Sequence, residues 1–381
     1  MTYRIGIDAR KLTDFGIGTY IQNLLPALAR VDSRNHYLIF ARPEHRERLW
    51  ELPDNFEFVA EKARSYTARE LVALPWQILR RRLDLFHATH YVLPYLVPCK
   101  TIVSIHDIIH LLYPEFLPNR FAFVYANTMI RHSLTSGDRI IASSQNTKTD
   151  LLETFDVDGE KIKVVYLGVP RRFREEVDES VAGVVLERHG LSRPYILFVG
   201  NPKPHKNLDN VVRSYARARE LSAFDADLVC VGDQGGEAFR VRQQAEALGI
   251  GDRFKLTGRV PSSDLPTIYQ QAALFLYPTL YEGFGFPVVE AMASGIPVIT
   301  SNKSALKEVA EGYADLVNPV DVENMAEAIA HCMSDPEHCR ALARLGKRRA
   351  EDFHWQRTAR KTLEVYMQVL GDRSEIEGAQ G

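Results

Sequence analysis

The chain has 381 residues, enough for two domains that each bury their own core. Its 47 Lys and Arg against 49 Asp and Glu leave a formal charge of −2, which argues against a protein that binds nucleic acid over its whole surface. No run of about eighteen apolar residues is present to span a bilayer, no secretory leader precedes the first strand-like run, and Cys99, Cys230, Cys332 and Cys339 fall at unrelated spacings with no metal pattern, so a reducing, cytoplasmic setting is expected.

Tyr3 to Ala9 reads as a first buried strand. A glycine-bearing loop, Asp14-Phe-Gly-Ile-Gly-Thr-Tyr20, then leads into an apolar helix from Tyr20 to Val31. Gly16, Ile17 and Gly18 have two readings: a tight turn, or a loop whose amides approach a diphosphate at the helix start. As a dinucleotide fingerprint the run is incomplete, with Ile21 at the third glycine position, which disfavours a nicotinamide-dependent dehydrogenase. Strand signals at His36 to Ala41, Phe56 to Ala60, Leu85 to Ala88 and Thr101 to Ile105 alternate with helical ones, and such alternation implies a mainly parallel sheet covered on both faces.

The helix expected from Thr67 to Arg82 combines Leu71, Leu74, Trp76, Ile78 and Leu79 with three successive arginines. It reads either as a packed helix with cations at its C-terminal end or as a surface that touches an anionic membrane. His106 and Asp107 follow the strand that ends at Ile105, at the carboxyl edge where doubly wound sheets bind ligands. Leu117 to Ser136 is a long amphipathic helix, Arg139 to Ser143 a strand, Ser144 to Phe155 a helix opened by a serine cap, and Ile162 to Tyr166 the last strand of this half.

A polar, Pro-bearing, acidic stretch then reads as a connection. The second half opens with the strand Tyr195 to Gly200, the loop Asn201-Pro-Lys-Pro-His-Lys-Asn-Leu208 and a helix from Leu208, and continues with strands at Asp227 to Val231 and Phe254 to Thr257. Lys206 is either a solvated lysine or a cation that neutralises a diphosphate. Asp225 and Asp227 precede a strand rather than end one, so a turn is expected there and not a metal-binding pair. Strand Ala273 to Tyr277 runs into Glu282-Gly-Phe-Gly-Phe-Pro-Val-Val-Glu290, then Ala-Met-Ala-Ser-Gly-Ile-Pro-Val-Ile. Glycines ahead of Pro287 signal a helix start that favours a phosphate, and the two glutamates, about two turns apart if helical, favour hydroxyls. A ligand carrying both groups, such as a nucleotide sugar, fits that combination. Asp315 to Asn318 closes the sheet, and Val322 to Met333, Pro336 to Asp352 and Trp355 to Leu370 are helices ahead of a polar tail.

The Glu282 to Glu290 run and its AMASGIPVI continuation resemble the retaining glycosyltransferases of family 4, and SIHDIIHLLYPEFL resembles the matching segment of their bacterial mannosyltransferase-like members. The resemblance implies a GT-B fold, two doubly wound Rossmann-like domains facing across a cleft. It divides the chain into an acceptor-side domain over residues 1–170, a linker over 171–192 and a nucleotide-sugar domain over 193–354. Residues 355–371 form a helix that returns to the first domain.

By the same resemblance His106, Glu282 and Lys206 carry the chemistry, and Gly16, Ile17, Gly18, Asn201, Thr257, Gly258, Val260, Gly283, Phe284, Gly285, Phe286 and Glu290 meet the donor. Asn201 replaces the arginine common at that point, with Lys203 or His205 as substitutes. Asp107, His87, His90 and Tyr91 are acceptor-side candidates. The implied reaction moves a hexose, mannose from GDP-mannose, to a hydroxyl of a saccharide or lipid-linked saccharide without a metal cofactor, in cell-surface polysaccharide or glycolipid synthesis; peripheral membrane contact is the alternative that the Thr67 to Arg82 segment leaves open. The competing readings are a nucleotide-sugar epimerase and a non-catalytic nucleotide-sugar-binding protein.

Overall fold

The computed structural model describes residues 1–49, 51–62, 70–117, 119–192, 194–232 and 235–372, and divides into two compact units, Met1–Gly168 with His354–Gly381 and Val169–Phe353. The first unit is built on seven parallel strands: β1 (Arg4–Asp8), β2 (His36–Ala41), β3 (Phe56–Ala60), β4 (Leu85–Ala88), β5 (Lys100–Ile105), β6 (Arg139–Ala142) and β7 (Ile162–Val164). Their order is β3-β2-β1-β4-β5-β6-β7. Strands such as Tyr37–Ala41 are buried on both faces, as a parallel sheet with helices on either side requires. One core cluster gathers Phe40, Phe86, Val103, Ile105 and Ile140 against Leu74 and Ile78 of the Glu70–Arg81 helix.

Local capping explains several boundaries. The Asn119 side chain accepts from Ala122 N at 2.9 Å and opens Arg120–Ser136, and Ser144 accepts from Thr147 N at 3.0 Å and opens Gln145–Thr154. The Trp355–Leu370 helix belongs to this unit: Tyr366 Oη meets His87 Nδ1 at 2.7 Å and Thr358 Oγ1 donates to Tyr166 O at 2.8 Å. Of the helix expected over Thr67–Arg82, residues 67–69 lie outside the described residues, as does the 373–381 tail.

The glycine run behaves differently from the loop expected of it. The first helix spans Phe15–Val31, so Gly16, Ile17 and Gly18 form its opening turn. A Cβ at Gly18 would stand 2.6 Å from Leu12 O, whereas one at Gly16 would meet nothing within 4 Å. Gly18 is therefore there for close packing of the chain ahead of the helix.

The second unit has six parallel strands, β8 (Tyr195–Val199), β9 (Asp227–Val231), β10 (Phe254–Gly258), β11 (Leu274–Tyr277), β12 (Val298–Ser301) and β13 (Asp315–Val317), ordered β10-β9-β8-β11-β12-β13. Residues 171–192, read as a connection, instead contribute a helix to this unit. Glu179–Arg188 is capped by Asp178 and buries Ala182, Val185 and Leu186. Cys332 and Cys339 form a disulfide joining the end of the Val322–Ser334 helix to the start of Pro336–Ala350. The unrelated cysteine spacings, read as pointing to a reducing setting, give no sign of this pair, because spacing along the chain does not show that a helical hairpin brings the two within 5.5 Å, Cα to Cα.

Each sheet reverses its order of addition once, between β1 and β4 in the first unit and between β8 and β11 in the second. Crossovers leave such a point in opposite directions, so the loops at the carboxyl ends of the two strands splay apart and leave a crevice. Among the described residues no helix is long and apolar enough to cross a membrane.

The glycine pair yields a two-sided expectation for stability. Gly16→Ala adds a methyl in open space within a helix and should stabilise by about 0.5–1 kcal/mol. Gly18→Ala should destabilise by about 1–3 kcal/mol through overpacking. Urea unfolding of both variants checks the pair, and two changes of the same sign would overturn this account.

Candidate active site

The crevice of the second unit is bounded by the loops after β8 and β11, and both approach it under tight local control. After β8 a short turn, Pro204–Lys206, ends at Asn207, which takes a left-handed conformation, φ 61°, just before the Leu208–Leu221 helix. Asn207 Nδ2 donates to Pro278 O at 2.9 Å and to Pro319 O at 2.6 Å, and Leu280 N donates to His205 O at 2.8 Å. These bonds hold Lys206 against the loop that follows β11.

There Lys206 Nζ donates to Glu282 Oε1 at 2.6 Å and to Tyr277 Oη at 2.9 Å. Tyr277 Oη in turn donates to the same Glu282 oxygen at 3.0 Å. Both charged side chains remain 14–18% exposed, so the pair is screened yet reachable. A bond this short between ammonium and carboxylate is charge-assisted and strong. Glu282 does not cap the following helix. Its own N–H donates to Ser304 Oγ at 3.1 Å, and Ser304 sits at φ 51°.

Helix Phe286–Ala293 starts instead from Gly285 at φ 100°, where an added Cβ would collide with Leu306, and Pro287 stands in its first turn. Gly283 is buried beside it, as is Phe284, whose ring packs edge-on against Phe286 and Phe353 at 5.5 and 5.6 Å. The Phe284 side chain is thus core, which leaves only its backbone for a ligand. One turn on, Glu290 is buried, accepts from Tyr269 Oη at 3.1 Å, and has its carboxyl pushed up to about 7 by burial.

The other donor-side candidates border the same edge. Asn201 lies in the loop after β8, where its carbonyl accepts from Lys203 N at 2.8 Å. Thr257 and Gly258 end β10, Val260 follows, and Gly258 takes φ 77° with its carbonyl bonded to Gly232 N at 3.1 Å. Asp225 and Asp227 lie at the opposite, amino end of the sheet, both paired with Arg253, at 2.6 and 3.3 Å. Among the described residues no group of three or more His, Cys, Asp or Glu is arranged to hold a metal ion.

In the first unit, His106 follows β5, and its Nε2 lies 3.0 Å from Thr89 O in the loop after β4. A carbonyl only accepts, so Nε2 carries the proton and Nδ1 is the acceptor. Burial lowers the imidazole's pKa and so favours this neutral form. The His106 carbonyl is pinned in turn by Ser143 Oγ at 2.7 Å and Thr147 Oγ1 at 3.1 Å, and Tyr20 packs edge-on to the ring at 4.7 Å.

The acceptor-side candidates fare less well. Asp107 accepts from Ile109 N at 3.1 Å ahead of the short Ile109–Leu112 helix, and its charge favours the protonated form of the neighbouring His106 against burial. His87 is wholly buried, held by Tyr366 and by Ser104 Oγ at 2.8 Å, with burial driving its pKa down to about 3; it is a core residue. His90 is likewise buried, beside Asp8, with its pKa down to about 3 for the same cause, and Tyr91 packs on the first unit's core. A histidine in an FHATHY run next to a turn carries no signal that separates core from surface. Sequence reasoning missed Tyr277, Tyr269, Asn207 and Ser304. A tyrosine in a strand reads as β-propensity, and only its register against the glutamates reveals a polar task.

Residues 16–173 match the family described as Glycosyltransferase Family 4, and residues 187–349 match Glycosyl transferases group 1. The O-antigen chain mannosyltransferase B of Escherichia coli is 26% identical over 297 residues, covering 76% of each chain. The serotype-specific mannosyltransferase WbdA of Escherichia coli is 27% identical over 291 residues, 74% of this chain but only 35% of that one, so this chain spans about a third of WbdA. The Anabaena protein HepE, solved in complex with UDP and glucose, superposes with a TM-score of 0.77 at 18% identity over 96% of this chain and all of that one.

The buried Glu290 makes stability depend on pH in a way that a glutamine would not. Its folded pKa lies above its ordinary 4.5, so its contribution is fully present below about pH 4.5 and is lost as pH rises through about 7. Glu290→Gln should therefore be more stable than wild type at about pH 8, by on the order of 2 kcal/mol, and should converge with it near pH 5. Thermal unfolding of both proteins at the two pH values checks the sign.

Proposed function

The chain belongs to the GT-B glycosyltransferases, and on that footing we propose that it moves mannose from GDP-mannose to a hydroxyl of a saccharide or lipid-linked saccharide, with retention at the anomeric carbon. The observation that carries the reading is the Lys206–Glu282–Tyr277 cluster at the second sheet's point of reversal, with Glu290 on the helix beside it. A cation, a glycine-led helix start and two carboxylates suit a diphosphate flanked by hydroxyls on both sides. The names of the relatives, mannosyltransferases of O-antigen chains, support the choice of sugar and of product.

In this reading Glu290 accepts from the ribose hydroxyls, Glu282 accepts from those of the sugar, and Lys206 with the amides around Gly283 to Phe286 stabilises the departing diphosphate. The bond from the anomeric carbon to the diphosphate oxygen breaks as the acceptor oxygen bonds to the same face of that carbon. The acceptor's proton passes to the leaving phosphate oxygen. Neither glutamate acts as a nucleophile, and stabilisation of the charge that builds on the leaving group supplies the main catalytic effect. His106 is assigned to the same reaction as a neutral acceptor through Nδ1. The reading gives the diphosphate's charge to Lys206 and needs no metal ion, so turnover should survive EDTA.

Contact with a lipid surface is also proposed, through the Glu70–Arg81 helix. Trp76 and Leu79 are 59% and 61% exposed, and Arg80 stacks 5.4 Å from the Trp76 ring. Arg4, Arg80, Arg81 and Arg82 line one concavity with Trp76 and Gln77, with no acidic side chain among these described lining residues. Exposed indole beside clustered guanidinium suits an anionic headgroup layer. Flotation should recover the protein with phosphatidylglycerol vesicles and not with phosphatidylcholine alone, and Trp76→Ala with Arg80→Glu should abolish recovery.

Donor binding and turnover test the central reading. Glu290→Ala should weaken GDP and GDP-mannose alike by on the order of 10-fold or more. Glu282→Ala should chiefly lower kcat and sugar discrimination, by on the order of 10²-fold. Lys206→Ala should lower diphosphate affinity and kcat together. Calorimetry and steady-state kinetics separate these outcomes, and equal donor affinity in wild type and all three variants would overturn the assignment.

A further inference from the structure

Each of the two candidate-site glutamates, Glu282 and Glu290, ends on a buried phenol. Tyr277 Oη bonds Glu282 at 3.0 Å and Tyr269 Oη bonds Glu290 at 3.1 Å. Both tyrosines have no exposed surface. Their rings belong to one aromatic row: Phe173 to Tyr269 at 5.5 Å, Tyr269 to Phe275 at 5.3 Å, Phe275 to Tyr277 at 5.5 Å and Tyr277 to Phe198 at 5.3 Å. Phe198, Phe275 and Tyr277 lie on β8 and β11, the strands that flank the point of reversal.

A glutamate has three rotatable side-chain bonds and can wander by several ångströms, whereas a phenol packed on both sides has no such freedom. We propose that Tyr277 and Tyr269 are the positioning residues of the transfer, Tyr277 aiming Glu282 and Lys206 at the sugar and diphosphate, and Tyr269 aiming Glu290 at the nucleoside. The proposal rests on the donor-site reading above and adds what holds that site in register. Tyr277 does two tasks with one oxygen: its hydroxyl proton goes to Glu282 while a lone pair receives Lys206 Nζ at 2.9 Å. The Lys206 ammonium also lies 5.5 Å from the centre of the same ring, so the phenol steers the cation by two contacts. Burial and the adjoining carboxylate raise the pKa of each phenol well above the usual tyrosine range, so both remain donors at any working pH.

The two phenols differ in what they leave behind when removed. Glu282 keeps Lys206 as a partner, so its charge persists and only its aim is lost. The groups that act on Glu290 are Tyr269, whose bond favours the carboxylate, and the Arg172 guanidinium, which does so at longer range, both against burial. Deleting the Tyr269 hydroxyl therefore moves the protonation of Glu290 to higher pH.

Tyr277→Phe and Tyr269→Phe keep the rings and the row intact and are read independently, each for kcat, KM, GDP affinity by calorimetry across about pH 5.5 to 8.5, and melting temperature. Wild type is measured first. If it binds no nucleotide sugar, the proposed function fails and these variants are not needed to say so. Given wild-type activity, Tyr277→Phe should lower kcat by about 10- to 100-fold with a much smaller change in KM. Tyr269→Phe should weaken GDP binding near pH 7 and shift the midpoint of its pH dependence upward by about half a unit or more. Tyr277→Phe with wild-type kcat, or Tyr269→Phe with an unmoved midpoint, overturns the role of that tyrosine. A fall in melting temperature with unchanged kinetics and midpoint overturns it too, because that is how a purely structural residue behaves.

Discussion

The ion pair of Lys206 with Glu282 exists because a parallel sheet changes direction beneath it. β8 and β11 are neighbours in space although 74 residues separate the end of one from the start of the other. The helices after them must leave to opposite faces. Their two loops then stand side by side without merging, and a lysine on one can reach a carboxylate on the other. Asn207, Gly285 and Ser304, all at positive φ, are the backbone adjustments that make the two ends meet. Two non-glycine residues, Asn207 and Ser304, held in the left-handed region around one polar cluster are the pattern expected of a site in which geometry outweighs local backbone comfort.

The first unit uses its polar interior differently. Asp8 and Arg10 are paired at 2.6 Å with almost no exposure, and the guanidinium beside Asp8 holds its carboxyl below the usual range although burial opposes this. Tyr20, Ser104, His87 and Tyr366 form a continuous chain of hydrogen bonds that ties the Trp355–Leu370 helix to the sheet. A buried network of this kind specifies one register of that helix, because any slip leaves polar atoms without partners. His106 lies at the edge of this network, and its orientation is inherited from it through Tyr20 and Thr89.

Much of this was legible in the residues. Among the described residues, the twelve strands expected from apolar runs stand where those runs placed them, with ends that match or differ by one or two residues, because a buried parallel strand leaves an apolar signature. The cap at Ser144 and the helix led by Pro287 followed from residue type alone. What escaped had a common cause. The Glu179–Arg188 helix hid behind its acidic surface, and the first helix began five residues early because glycines were read as a loop when one of them was fitted to Leu12 O. Cys332 with Cys339, Tyr277 with Glu282, and His87 with Tyr366 are relations between elements, and a one-dimensional pattern carries no coordinate for them.

The first unit is discontinuous: residues from His354 onward complete it, whereas Val169–Phe353 is an unbroken segment. During synthesis the first unit therefore cannot be completed until the segment that forms the second has been made. At about 5–20 residues per second, the intervening segment occupies the ribosome for roughly ten to forty seconds. Throughout that interval His87 has yet to meet Tyr366, and the face of the Phe15–Val31 helix that receives Trp355, at Tyr20, stays uncovered. The half begun first is thus the one finished last, by the sixteen-residue helix Trp355–Leu370.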